Sequence, residues 1–295
     1  MIFMLDNSNK SLSLCMNKLP IAKKVQIINM LVEGMSLRAA SRIADVSINT
    51  VTKLLVDTGK ACQNFHDETV HGLKSKRIEA DEIWSFVYAK QKNVEEIVNS
   101  SIEKDKAGDV WTWTAIDADS KMIVSWFVGD RDAQSAYTFM CDVKSRLNNR
   151  VQLTTDGHKA YLNAVPDAFG SKIDYAMLIK IYGEATGANG TERKYSPGDC
   201  TGFDKKRIIG KPVGDLVSTS YVERQNLTMR MHMRRFTRLT NGFSKKMENH
   251  CYAIALHFVY YNFAKIHKTL RVTPAMEAGL TKDVMTIEEI VKLAD

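Results

Sequence analysis

Three acidic residues, Asp81, Asp156 and Glu223, hold the chemistry this chain could most specifically perform. Asp81 lies within Ile78–Tyr88 (IEADEIWSFVY), where apolar neighbours make a charge costly unless it is paired or binds a metal ion. Asp156 ends the apolar run Val151–Thr155 and precedes Gly157, which lets a ligand approach closely. Glu223 falls early in a basic helical stretch, Ser218–Arg238. Carboxylates are acceptor-only oxygen donors, so the three would form a hard anionic nest for two Mg²⁺ ions, with Mn²⁺ able to substitute. Two such ions bring roughly +4 against −3, which leaves room for a substrate phosphate. One ion would help generate a nucleophile and the other would stabilise a leaving oxygen. The two-residue period of a strand turns Glu82 away from Asp81, so the pair is not read as two ligands on one face. Helical spacing sets Asn226 and Arg230 on the side of Glu223, where Arg230 could meet a DNA phosphate.

The elements that must position these groups follow from periodicity. Ile78–Tyr88, Val110–Ile116, Met122–Val128, Val151–Thr155 and Ile173–Ile181 read as strands, the second and third joined as a hairpin through Asp117–Lys121. Ala133–Leu147, Lys159–Val165, Ser218–Arg238 and Asn249–His267 read as helices, and Thr273-Pro274 as the cap and first position of a short last one. This order predicts an α/β chain of the mixed α+β kind, a mixed five-stranded sheet flanked by helices. Residues 183–217, rich in glycine and charge, read as a long loop or insertion.

Upstream, residues 1–20 read as a flexible arm. Residues 21–75 read as an all-α helix-turn-helix domain with its linker. Ile21, Val25, Ile28 and Leu31 share one helix face, and Gly34 ends that helix. Ser36 caps a second helix, Asp45-Val46 makes the turn, and Ser47 caps a third over Ile48–Val56. Arg38, Arg42, Ser47, Asn49, Thr50 and Lys53 are the candidates here for base edges and phosphates. Residues 76–271 would form the catalytic domain and 272–295 a C-terminal helical tail.

The net charge of +7 is unevenly spread: residues 200–271 hold 14 basic against 4 acidic side chains. Such a face is a footprint for a polyanion. Arg224, Arg230, Arg234, Arg235 and Arg238 are its DNA-backbone candidates, with His158, Lys159 and Asn226 added near the acidic residues. His158 could act in proton transfer or simply cap the loop. Asp117 and Asp119 read as turn residues, and the four tryptophans as sheet core rather than base-stacking groups. The five scattered cysteines form no C-x-x-C pair, which excludes a disulfide framework and a Cys-rich zinc site. No apolar run is long enough for a bilayer, and the N-terminal residues do not resemble a signal peptide.

Four stretches together resemble the DDE transposases of bacterial and archaeal insertion sequences, most closely the IS1-type family: EADEIWSFV (79–87), TTDGHKAY (154–161), YVERQNLTMR (221–230) with FSKK (243–246), and YNFAKIHKTLRVTPA (261–275). The resemblance implies an RNase H-like fold in which Asp81, Asp156 and Glu223 match the family's catalytic and metal-binding D, D and E. It implies a homodimer or higher assembly in a prokaryotic cytoplasm, associated with the nucleoid. This would bind terminal inverted repeats, cut the element ends and join them to target DNA. The chain departs from the family in lacking a Cys motif before the helix-turn-helix. A metal-dependent nuclease without strand transfer, and a DNA-binding regulator with an inactive catalytic domain, share many of these features.

Overall fold

The computed structural model describes residues 18–97, 107–183, 200–237 and 240–295. Most of the expected arm, residues 184–199 of the expected insertion, and Arg238 lie outside them. The chain opens with three helices, α1 (Ile21–Val32), α2 (Leu37–Ala44) and α3 (Ile48–Thr69). Local chemistry sets their ends. The Ser36 hydroxyl accepts the Ala39 N–H at 3.1 Å, and the Ser47 hydroxyl accepts the Asn49 N–H at 3.2 Å. Asp45 takes the left-handed conformation between them, φ 50°. The apolar pattern predicts an end to the third helix at Val56, but α3 runs on to Thr69, because Thr58, Cys62 and His66 continue its buried face.

Six strands follow, β1 (Arg77–Val87), β2 (Gly108–Asp117), β3 (Ile123–Gly129), β4 (Gln152–Thr155), β5 (Asp174–Tyr182) and β6 (Cys200–Ile209). They form one mixed sheet in the order β3-β2-β1-β4-β5-β6. β1 pairs antiparallel with β2 and parallel with β4, and β4 pairs parallel with β5. With helices on both faces, this is the α/β, RNase H-like architecture expected, with one strand more than expected. The sixth strand corrects the reading of 183–217 as loop throughout: β6 folds back antiparallel onto β5 and becomes the sheet edge.

Seven helices complete the described elements: α4 (Val94–Ile97), α5 (Ala133–Arg146), α6 (Tyr161–Phe169), α7 (Ser220–His232), α8 (Met247–Val259), α9 (Pro274–Glu277) and α10 (Ile287–Lys292). Thr273 caps α9, as its sequence indicated, by accepting the Met276 N–H at 3.2 Å. α7 is shorter than the expected Ser218–Arg238, and α8 passes into a π-type turn at Tyr260–Ala264. No helix among the described residues is long and apolar enough to cross a membrane.

One apolar cluster runs from Ile27 and Ile28 of α1 through Leu55 of α3 to Leu153 of β4, Val259 of α8 and Ile290 of α10. The helical head therefore shares its core with the sheet. The tightest crossing is α3 on α8, where a Cβ added at Gly59 would lie 2.2 Å from the Tyr252 carbonyl oxygen. Gly59→Ala should accordingly destabilise the protein by about 2 kcal/mol. The overpacking cost exceeds the gain in helix propensity of about 1 kcal/mol. Chemical denaturation would measure it, and an unchanged or raised midpoint would refute the close crossing.

Candidate active site

The parallel pairing of β1 with β4 sets the site. β4 ends at Thr155, opposite Ala80, so the chain leaves the sheet at Asp156 beside Asp81. Strand carboxyl ends are where open α/β sheets leave crevices for ligands. Along β1, Glu79, Asp81 and Ile83 face α7, while Ile78, Ala80 and Glu82 face α5 and α6. Asp156 lies off the strand end, within reach of both sides. Ligand oxygens of Asp81, Glu82 and Asp156 consequently fall within 4.8 Å of one another. This corrects the setting aside of Glu82: its side chain does leave β1 on the opposite face, yet its carboxylate joins the cluster.

Each carboxylate is held. Asp81 Oδ2 accepts the Asn226 side-chain N–H at 2.8 Å. Asp156 Oδ1 accepts the backbone N–H of His158 at 2.9 Å. Glu82 accepts from Arg131 Nε at 2.7 Å and from the buried Tyr161 hydroxyl at 3.2 Å. Burial, then the neighbouring Asp156 and Glu82 carboxylates, push the Asp81 pKa up to about 7. Burial and Asp156 likewise push Glu82 up to about 7, against the opposing pull of Arg131.

Glu223 reaches the site from α7. It lies one turn before Asn226, the residue that touches Asp81, and its charge contributes to the raised Asp81 pKa. Its carboxylate accepts the Thr219 hydroxyl at 2.6 Å and pairs with Lys180 of β5. Glu223 stands outside the group of carboxylates lying within 4.8 Å of one another.

Glu79, unmarked in the sequence reading, fixes the start of α7. It is 2% exposed, and its Oε2 accepts the backbone N–H groups of Tyr221 at 2.8 Å and Val222 at 3.1 Å. Thr219, at the N-cap position, makes no cap bond because its hydroxyl serves Glu223. Glu79 thus supplies the acceptor and the negative charge that a helix N-terminus favours. The only signal in sequence was an acidic residue two before Asp81 on the same strand face, with no hint of its partner.

The cluster fits divalent cations. Its donors are all oxygens, and burial first, then their mutual crowding, raises the pKa of two of them. Beside it, His158 Nε2 and Asn226 Oδ1 are buried without a hydrogen-bond partner. Asp81, Asp156 and Glu223 would hold the ions, with Glu82 alongside.

The expected DNA-binding residues divide. Arg38, Arg42, Ser47, Asn49 and Lys53 are exposed on the head and Thr50 half-buried, with Lys53 paired to Asp57 at 2.5 Å. Lys159, Arg224 and Arg234 are exposed, while His158 and Arg230 are half-buried. Arg38 and Arg234 meet Thr52 and Lys245 along a cleft of about 800 Å³ between the head and the end of α7. Two residues have other duties. Asn226 is buried and orients Asp81. The Arg235 guanidinium bonds the Ser244 hydroxyl at 2.8 Å and the Asn249 carbonyl at 2.9 Å, so it ties loop to helix instead of facing phosphate. Trp113 is fully buried, as read, whereas Trp111 is half-buried under Arg131, 4.6 Å from ring centroid to guanidinium carbon.

No family model matches the chain, and no curated protein matches it. Among solved structures it is similar to a Mos1 transposase paired-end complex with left transposon end, at 10% identity over 53% of this chain and 58% of that one, TM-score 0.24. It is similar to a pre-cleavage Mos1 transpososome at 11% identity over 54% and 60%, TM-score 0.23. A Mos1 strand transfer complex matches at 9% identity over 82% and 75%, TM-score 0.24. The chain spans about three fifths of the first two. At these TM-scores the likenesses carry no weight beside the carboxylate geometry.

Proposed function

We propose that the chain is a metal-dependent DNA transposase of the DDE type. Residues 21–75 would bind terminal inverted repeats. Residues 76–271 would cut the element ends and join the freed 3′-OH to target DNA, in a homodimer or larger assembly on DNA. The observation that carries the reading is the convergence of Asp81 and Asp156, from adjacent parallel strands, beneath the helix that bears Glu223. Divalent ions bound there would neutralise the charge that develops on a phosphodiester during displacement.

The chain's own groups do the positioning. Asn226 orients the Asp81 carboxylate, the His158 N–H orients Asp156, and Thr219 orients Glu223. His158 has a lowered pKa, from burial and then from Arg131, so it is neutral near pH 7 and able to donate or accept at its buried Nε2. Arg224 on the outer side of α7 and the basic cleft lined by Arg38, Arg234 and Lys245 offer charge to the DNA backbone.

Incubating the protein with element-end DNA, a target plasmid and Mg²⁺ or Mn²⁺ tests the reading. Joined products from wild type, absent with Asp81→Ala, are the expected result. Cut ends without joining would assign a nuclease instead. Salt-sensitive DNA binding without any cutting would assign a regulator.

A further inference from the structure

β6 has no part in the site described above, yet its register places it there. Paired residues of antiparallel strands share a face, and Lys180 of β5, opposite Phe203, points to Glu223. Alternation then puts Phe203, Lys205 and Arg207 of β6 on the α7 side, together with Lys180 and Tyr182 of β5. Lys205 confirms the side, since its Nζ reaches the Gly214 carbonyl, ahead of α7, at 2.7 Å. The opposite face of β6 carries Asp204 and Lys206, paired with each other at 3.6 Å. The α7-side face has cations and aromatic rings and no acidic residue from β6.

Phe203 is 60% exposed and Tyr182 53%. Rings this open, set between cations, fit a partner that is both anionic and flat. Lys205 is held by the Gly214 carbonyl and Arg207 lies near Asp174, yet an apolar protein surface would give these cations no further counter-charge, whereas a nucleic-acid strand supplies phosphates for them and bases for the rings. From Phe203 to Arg207 the strand runs about 14 Å, enough to follow a few nucleotides.

We propose that this β5–β6 face is a platform for the DNA strand flanking the scissile phosphate. Phe203 and Tyr182 stack on an unpaired base, and Lys205 and Arg207 hold its phosphates. The proposal rests on the transposase reading and adds to it a requirement for locally unpaired DNA beside the metal site.

The test uses the full chain with Ca²⁺ in place of Mg²⁺. The probes are a blunt duplex and the same duplex with a single-stranded thymidine arm carrying one 2-aminopurine. Wild type should bind the forked probe more tightly and change the 2-aminopurine emission. Combining Phe203→Ala with Tyr182→Ala should weaken fork binding about 10-fold or more and abolish the emission change, with blunt-duplex affinity kept. Phe203→Trp should restore both. Lys205→Gln with Arg207→Gln should lower the salt slope for the fork by about 1.4.

Unchanged fork affinity and emission in the aromatic double variant would overturn the platform. So would a shift of that variant from oligomer to monomer with DNA binding intact, which would give the face to a second copy. If wild type cuts and joins DNA while the double variant still binds the fork normally, only the platform falls. If fork binding depends on Phe203 but no divalent ion supports cutting, the transposase reading falls and the platform remains.

Discussion

Asp81→Asn should melt higher than wild type in the absence of divalent ions at pH 8, by on the order of 5 °C, while losing DNA cleavage by at least about 10³-fold. Both effects have one origin. Burial first, and then Asp156 and Glu82, hold the Asp81 carboxyl at about 7, above its usual value near 4. A carboxyl whose pKa is raised by folding destabilises the native state as pH rises from about 4 through 7, because the unfolded chain ionises more readily. Metal-free wild type should therefore lose stability between pH 5 and pH 8, and Asp81→Asn should lose less. Added Mg²⁺ or Mn²⁺ should stabilise wild type increasingly over the same window and leave the variant nearly unmoved. Thermal melts across pH, with and without the ion, check this apart from any assay of activity. A variant that melts below wild type at pH 8, or that still gains stability from the ion, would remove the basis for a cation nest at Asp81.

Glu79→Ala is expected to impair the site without touching its carboxylates. The substitution leaves the N–H groups of Tyr221 and Val222 without their acceptor and removes a buried charge from the α7 N-terminus. The stability cost should be about 1–2 kcal/mol, the range for lost helix caps, partly offset because Glu79 itself is costly to bury. The larger effect should fall on turnover. Glu223 lies in the first turn of α7, so play at that end moves a carboxylate we propose as a metal ligand, and misplacement near 1 Å is worth about 10²-fold. Glu79→Gln retains an oxygen acceptor at the same reach and should recover most of the loss. If Glu79→Ala and Glu79→Gln fall equally in turnover, or if Glu79→Ala loses stability alone, Glu79 does not position Glu223.

These two residues also mark where reading by sequence succeeds and stops. Asp81, Asp156 and Glu223 stand out in the sequence because an acid inside an apolar strand, one before a glycine at a strand end and one early in a basic helix each conflict with their local surroundings, and of the three the structure clusters Asp81 with Asp156. Ser36, Asp45, Ser47 and Thr273 were legible because capping and turn chemistry act over a few residues of the chain. Glu79 was not, since the N–H groups it caps lie 142 and 143 residues later, at Tyr221 and Val222. Glu82 was read onto the correct strand face, but its carboxylate's approach to Asp156 depends on where β4 stops. The glycine and charge of 183–217 concealed β6, a strand whose residues are mostly exposed and which is held by pairing to β5 rather than by an apolar pattern of its own.

Sequence alone set most of the element types and the caps at Ser36, Ser47 and Thr273, and it marked which acidic residues stand out, because periodicity and local hydrogen bonding are written within a few consecutive positions. Tertiary structure alone decided that Asp81 and Asp156 meet, that Glu82 joins them, that Glu79 seats α7, and that Asn226 and Arg235 serve the interior. Those outcomes depend on strand order and on where one strand ends beside another, and such packing joins residues whose separation along the chain carries no trace of it.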